Sequence, residues 1–190
     1  MEQLFIDNKT YNKIDFKADA LKKGEYENCH FKNCDISKVD LSGFMFVECD
    51  FTGCNFSLSK LILTVFQDVY FRDCKMPGLR FDTCNYVGLS FGFENCTLDH
   101  SIFRDAKIKR TTFKNSQIIE ADFTGCDLTG SIFDHCDLKR AIFERTILVN
   151  VDFRTSYNYS IDPETNKMKK AKFSLAGIGG LLQKYDIVIS

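Results

Sequence analysis

The sequence predicts an all-β solenoid, a quadrilateral β-helix of about seven coils that ends in a short C-terminal helix. Three observations carry this expectation. Phe is one residue in ten, 19 of 190, with no Trp beside it, and such use of one aromatic points to an internal repeat. Large apolar residues recur at every fifth position for most of the chain. The position two before most of them is small, with Phe44, Leu79 and Leu89 as departures where the wall should bulge, and it holds all nine cysteines: Cys29, Cys34, Cys49, Cys54, Cys74, Cys84, Cys96, Cys126 and Cys136.

The first series of large residues starts at Phe16, Leu21, Tyr26 and Phe31 and continues every fifth residue to Phe91. After a two-residue slip at 91–93, a second series runs from Phe93 to Phe153, with Phe and aliphatic residues alternating. A period of five fits neither an α-helix nor a flat strand. A unit that buries two of its five side chains must turn a corner, and four corners close a coil of about twenty residues, stacked on the next by parallel hydrogen bonds about 4.8 Å apart. Each coil can bury its interior only against its neighbours. Residues twenty apart should then lie above one another, giving one core column of Phe31, Phe51, Phe71 and Phe91 and a second of Phe93, Phe113, Phe133 and Phe153. Outside, Glu94, Lys114, Asp134 and Arg154 alternate in sign, as stacked charges should. The rod is expected to be about 34 Å long.

Residues 1–15 read as an N-terminal cap and 16–155 as the repeat, broken by the slip at 91–93. Residues 156–170 have no period, contain Pro163 and read as a loop. In 171–190 one last repeat unit, Ala171-Lys172-Phe173, precedes a dimerisation helix, with Leu175, Ile178, Leu182 and Tyr185 at helical spacing and Ser174 as N-cap, and then a short terminal strand from Asp186. Gly177, Gly179 and Gly180 weaken that helix but let another backbone approach closely. This segment either caps the open end within one chain or joins two chains. The second reading, adopted here, assigns a two-fold dimer interface to Leu175, Ile178, Leu181, Leu182, Tyr185 and Ile187, because a short Gly-rich apolar helix cannot bury both faces alone.

With 25 Lys and Arg against 26 Asp and Glu, the chain is not a strongly basic nucleic-acid binder. It has no apolar run long enough to cross a membrane, and its N-terminus lacks the order of a signal peptide, so it is expected in the cytoplasm with reduced thiols. Cys spacings of five do not match the C-x₂-C of a tetrahedral metal site, and the cysteines read as small core residues; no cofactor is expected. His30, His100 and His135 fall at outward positions on no common column, far from any nucleophile motif, so the chain is read as not an enzyme. What remains is surface. Asp35, Asp40, Asp50, Asp68, Asp73, Asp122, Asp127 and Asp137 are outward carboxylates and form a candidate partner-binding acidic surface. Met45, Val47, Leu58, Ile62, Leu63 and Val65 are outward apolar residues that either mark a partner site or, by preference, lie under Leu4-Phe5-Ile6.

Val39-Asp40-Leu41-Ser42-Gly43, Cys49-Asp50-Phe51-Thr52-Gly53, Ala121-Asp122-Phe123-Thr124-Gly125 and Cys126-Asp127-Leu128-Thr129-Gly130 resemble the signature of the pentapeptide-repeat family. The resemblance implies a right-handed coil. The segment from Leu181 to Ile189 is similar to the C-terminal segment of the Qnr-like quinolone-resistance members, which are rod-shaped homodimers joined at that end. That likeness implies a homodimer and, as partner, a type II topoisomerase, DNA gyrase or topoisomerase IV, protected from quinolones or inhibited by a rod that imitates duplex DNA. Gram-negative Qnr proteins carry projecting loops, whereas this rod has only its two-residue slip, so contact would come from its faces. The alternative is a general scaffold or adaptor with an unrelated partner. A continuous acidic stripe would favour mimicry, and evenly mixed charge the scaffold.

Overall fold

A computed structural model describes residues 4–188. The chain winds as a β-solenoid whose coils stack in parallel register. Its first face carries β1 (Phe5–Asp7), β3 (Glu25–Glu27), β5 (Met45–Val47) and β7 (Val65–Gln67), paired in that order. The second face is a seven-stranded parallel sheet of β2 (Thr10–Asn12), β4 (His30–Lys32), β6 (Asp50–Thr52), β8 (Val69–Arg72), β9 (Phe91–Glu94), β10 (Thr112–Lys114) and β11 (Ile132–Asp134). Single bridges build the other two: Asp15–Asp35–Asn55–Lys75–Thr97–Gln117–Asp137–Tyr157 on the third, and Asp40–Lys60, then Arg80–Ile102–Asp122–Ile142, on the fourth.

The corners follow from the backbone. The residue two past a core side chain is typically left-handed, as at Asn33 (φ 54°), Asp73 (φ 54°) and Gly125 (φ 69°). That conformation costs roughly 1–2 kcal/mol for most residues, and Gly, Asn and Asp bear it best, which explains their density there. Long charged residues such as Lys38, Arg110 and Arg140 also take it, and the large apolar residues that do so are Leu58 and Leu63 (φ 60° and 56°).

Inside, one column of rings climbs the second face: Tyr11, Phe31, Phe51, Phe71, Phe93, Phe113, Phe133, Phe153 and Phe173, with successive centroids 4.5–5.3 Å apart and near-parallel planes. On the opposite wall Phe81, Phe103, Phe123 and Phe143 stack likewise at 4.6–5.1 Å and meet the first column edge to face. The small position has a hydrogen-bonding reason to be Cys, Ser or Thr. Its side chain donates to a carbonyl one coil below, as from Cys54 Sγ to Phe31 O (3.4 Å), Ser59 Oγ to Ile36 O (2.7 Å) and Thr64 Oγ1 to Leu41 O (2.8 Å). All nine cysteines are buried and free.

Several expectations are corrected. Phe91 does not stack on Phe71. It pairs with Val69 at the small position of its unit, and Phe93 takes the place above Phe71. The two extra residues lie upstream of 91–93, in a corner bulge at 85–90 where Tyr86 and Val87 turn outward, Val87 being 80% exposed, and Leu89 fills the interior. The N-terminal residues form no separate cap, because β1 and β2 are already rungs of the two sheets. In the 156–170 segment, Tyr157 and Lys167 still bridge the coil below. Among its described residues the C-terminal segment has no α-helix, only the 3-10 turns Ile178–Leu181 and Gln183–Tyr185. Its glycines are needed for close approach within the chain: a Cβ on Gly180 would stand 2.4 Å from the Tyr159 carbonyl oxygen. Left-handed Asp186 (φ 50°) ends the second turn, and residues 186–188 form no strand; the rest of the expected strand, 189–190, lies outside the described residues.

Candidate protein-binding surface

The eight candidate carboxylates are distributed around the rod. Asp35 and Asp137 lie on the third face, Asp40 and Asp122 on the fourth, Asp50 on the second and Asp127 on the first, while Asp68 and Asp73 occupy corners. Each has a local partner. Lys17 Nζ donates to Asp35 at 2.6 Å and Arg104 Nε to Asp122 at 2.6 Å; Lys109 stands 3.2 Å from Asp127, His30 3.2 Å from Asp50 and Lys60 3.9 Å from Asp40. Ser90, Asn95 and Asn158 donate to Asp68, Asp73 and Asp137. The Lys17 hydrogen bond, helped by Ser37, holds the Asp35 carboxyl at about 2. Burial works against the charged form of Asp122, but hydrogen bonds from Thr124 and the Arg104 guanidinium overcome it and hold its carboxyl below the usual range. These groups form no continuous acidic stripe.

Charge stacking is instead mostly compensatory. On the second face Glu94 lies between Arg72 (3.6 Å) and Lys114 (2.7 Å), and at one corner Glu120 contacts both His100 (3.2 Å) and Arg140. The lower first face differs: Asp7, Glu25, Glu27 and Glu48 have no ion pair among the described residues. Their sequence signal is that Glu25 and Glu27 flank the core residue Tyr26, which places both outward, and they lie outside the aspartate set expected from the repeat.

Met45 and Val65 stand in register as expected. The N-terminal segment does not cover the apolar patch, since β1 lies on the lowest rung of the first face; Leu58 and Leu63 remain 63% and 64% exposed. At the upper end, Leu181 packs on the core, whereas Leu175 (88% exposed), Ile178, Tyr185 and Ile187 face outward and Leu182 is half-buried. Lys184 ties this segment down through Asp162 and Glu164, both at 2.7 Å.

No group of three or more His, Cys, Asp or Glu side chains among the described residues could hold a metal ion. The three histidines lie apart, each beside a carboxylate. Burial pushes the Cys49 and Cys136 thiols up to about 12, and Cys74, between Cys54 and Cys96 in one column, is raised by its sulfur neighbours and by burial. The Cys54 and Cys96 thiols are lowered by their contacts with Cys74, but both are buried away from any reactant. No helix among the described residues is long and apolar enough to cross a membrane.

A family described as pentapeptide repeat region matches residues 24–92, 44–123 and 89–157. Among solved structures, a trypsin-treated variant of QnrB1, described as a plasmid-mediated fluoroquinolone resistance protein, superposes with a TM-score of 0.55 at 20% identity, covering 99% of this chain and 98% of that one. A second trypsin-treated QnrB1 variant gives 0.54 at 19% identity, covering the whole of both chains. Comparison with curated protein sequences finds no match.

Proposed function

Since the chain belongs to the pentapeptide-repeat family, we propose that it works without catalysis, as a Qnr-like protein that binds a type II topoisomerase, DNA gyrase first, and protects it from fluoroquinolones or inhibits it. The observation that carries this reading is the end-to-end correspondence of the rod with a fluoroquinolone resistance protein. The unpaired acids of the lower first face would supply the contact with a cationic DNA-binding surface. The test is a gyrase supercoiling assay with added protein, with and without a fluoroquinolone. Preserved supercoiling in the presence of drug, or inhibition in its absence, supports the reading; neither effect at micromolar protein overturns it.

The exposed Leu175, Ile178, Tyr185 and Ile187 support a homodimer formed through the C-terminal end. Leu175→Asp should then halve the mass seen in light scattering, and a monomeric wild type would remove this part of the proposal. The second reading, a general interaction scaffold, is favoured by one observation: ion pairs join opposite charges on the second and fourth faces and, at Lys17–Asp35, on the third.

A further inference from the structure

The first face carries opposite charge at its two ends. Its lower rungs, 5–8, 25–28, 45–48 and 65–68, present Asp7, Glu25, Glu27, Glu48 and Asp68 outward and no Lys or Arg. Above the bulge, a column runs Lys107–Asp127–Ile147–Lys167. The two halves belong to one side of the rod, because 65–68 leads into β8 exactly as 107–110 leads toward β10, and β8 and β10 share a sheet. The upper rungs present Lys107, Lys109, Arg110, Lys167, Lys169 and Lys170 against the single acid Asp127. Only the Lys109–Asp127 pair is internally neutralised. Five unopposed acids therefore lie below, six bases and one acid lie above, and the exposed Tyr86 and Val87 stand between them.

We infer that this face is a self-complementary docking surface on which a second copy of the chain lies antiparallel. A two-fold axis through the bulge sets 65–68 of one copy opposite 107–110 of the other, and 5–8 opposite 167–170. Asp68 and Asp7 then face bases directly. Glu25 and Glu27 face the uncharged 147–150, and Glu48 faces Asp127, which Lys109 already pairs; each of the three lies one rung, about 4.8 Å, from the bases. The two-fold repeats every such contact, as an isologous interface requires. Tyr86 and Val87 of both copies meet at the axis, an apolar centre within a charged rim. A parallel arrangement would set like charges against one another. The contact uses a surface other than the C-terminal end and covers the lower first face, so it competes with the gyrase contact proposed above, while its test needs no gyrase. Exposed ion pairs contribute little singly, at about 0.2–1 kcal/mol, so the association is weak and salt-sensitive.

The experiment is multi-angle light scattering at tens of micromolar protein. At about 0.01 M ionic strength, where the screening length is roughly 30 Å, the smallest species, whether one chain or a C-terminal pair, doubles in mass; at about 1 M it does not. Asp7→Lys with Glu25→Lys and Asp68→Lys abolishes doubling, as does Lys107→Glu with Arg110→Glu and Lys169→Glu. Mixed one to one, the two reversed variants restore it, and native mass spectrometry finds one of each in the complex. A wild type that never doubles, doubling indifferent to salt, or a mixture that stays apart overturns the inference. Should a reversed variant lose its cooperative melt, the salt dependence of the wild type still decides.

Discussion

Phe93 stacks on Phe71, ring over ring, at 5.3 Å and 12°, although 22 residues separate them and every other step of that column spans 20. The hydrogen bonds keep the same count. Small side chains reach a carbonyl 23 residues back along most of the rod, but Cys96 reaches Phe71 and Ser101 reaches Met76, each 25 back. The bulge is therefore absorbed within one corner, and the core continues unchanged above it.

Removing one ring from that column is costly. Phe113 is fully buried between Phe93 and Phe133, stacked on both. Phe113→Ala should lose about 3–5 kcal/mol, measured as a fall in the midpoint of guanidinium unfolding.

The corners should respond in the opposite sense. Leu63 holds φ 56° while 64% exposed, so nothing in the core needs its side chain. Leu63→Asn should gain about 1 kcal/mol by relieving a left-handed leucine, while Gly125→Ile at φ 69° should lose about 1–2 kcal/mol. Thermal melts of the two variants should move apart.

Acid should weaken the rod over a defined window. Asp35 is held at about 2 by Lys17, and Asp122 is lowered despite burial. A carboxylate lowered below its unfolded value of about 3.9 contributes stability that is complete above that value and lost as pH falls toward the folded one. The melting temperature should drop between about pH 4 and pH 2. Asp122→Asn should flatten that drop, and an unchanged slope would contradict the Arg104 pairing.

The thiols should be silent until the rod opens. All nine are buried, and burial raises those of Cys49 and Cys136. Ellman's reagent should label none in the native protein and all nine in guanidinium. Cys54→Ser should cost less than about 1 kcal/mol, since serines already make the same carbonyl bond at Ser59 and Ser131.

The coil and its stacking were legible because a period of five constrains interior side chains directly: Phe51 over Phe71 and Met45 beside Val65 both follow from counting. Phe91 misled because an aromatic at a small position has the same spacing as one at a core position, so the counted series ran one unit past the bulge. The helical spacing of Leu175, Ile178 and Leu182 misled for another reason. Packing on Tyr159 favours tight 3-10 turns where Gly179 and Gly180 already disfavour an α-helix. Surface charge was the least legible, because ion pairing depends on which columns adjoin, as with Arg104 and Asp122 eighteen residues apart.

The Tyr86–Ser90 corner shows what this architecture permits. The aromatic spine passes it without losing a contact, so extra chain inserted between Tyr86 and Gly88 would be extruded sideways rather than transmitted along the rod. That corner is a natural grafting point, where a peptide could be displayed at mid-rod on a frame that already tolerates an interruption.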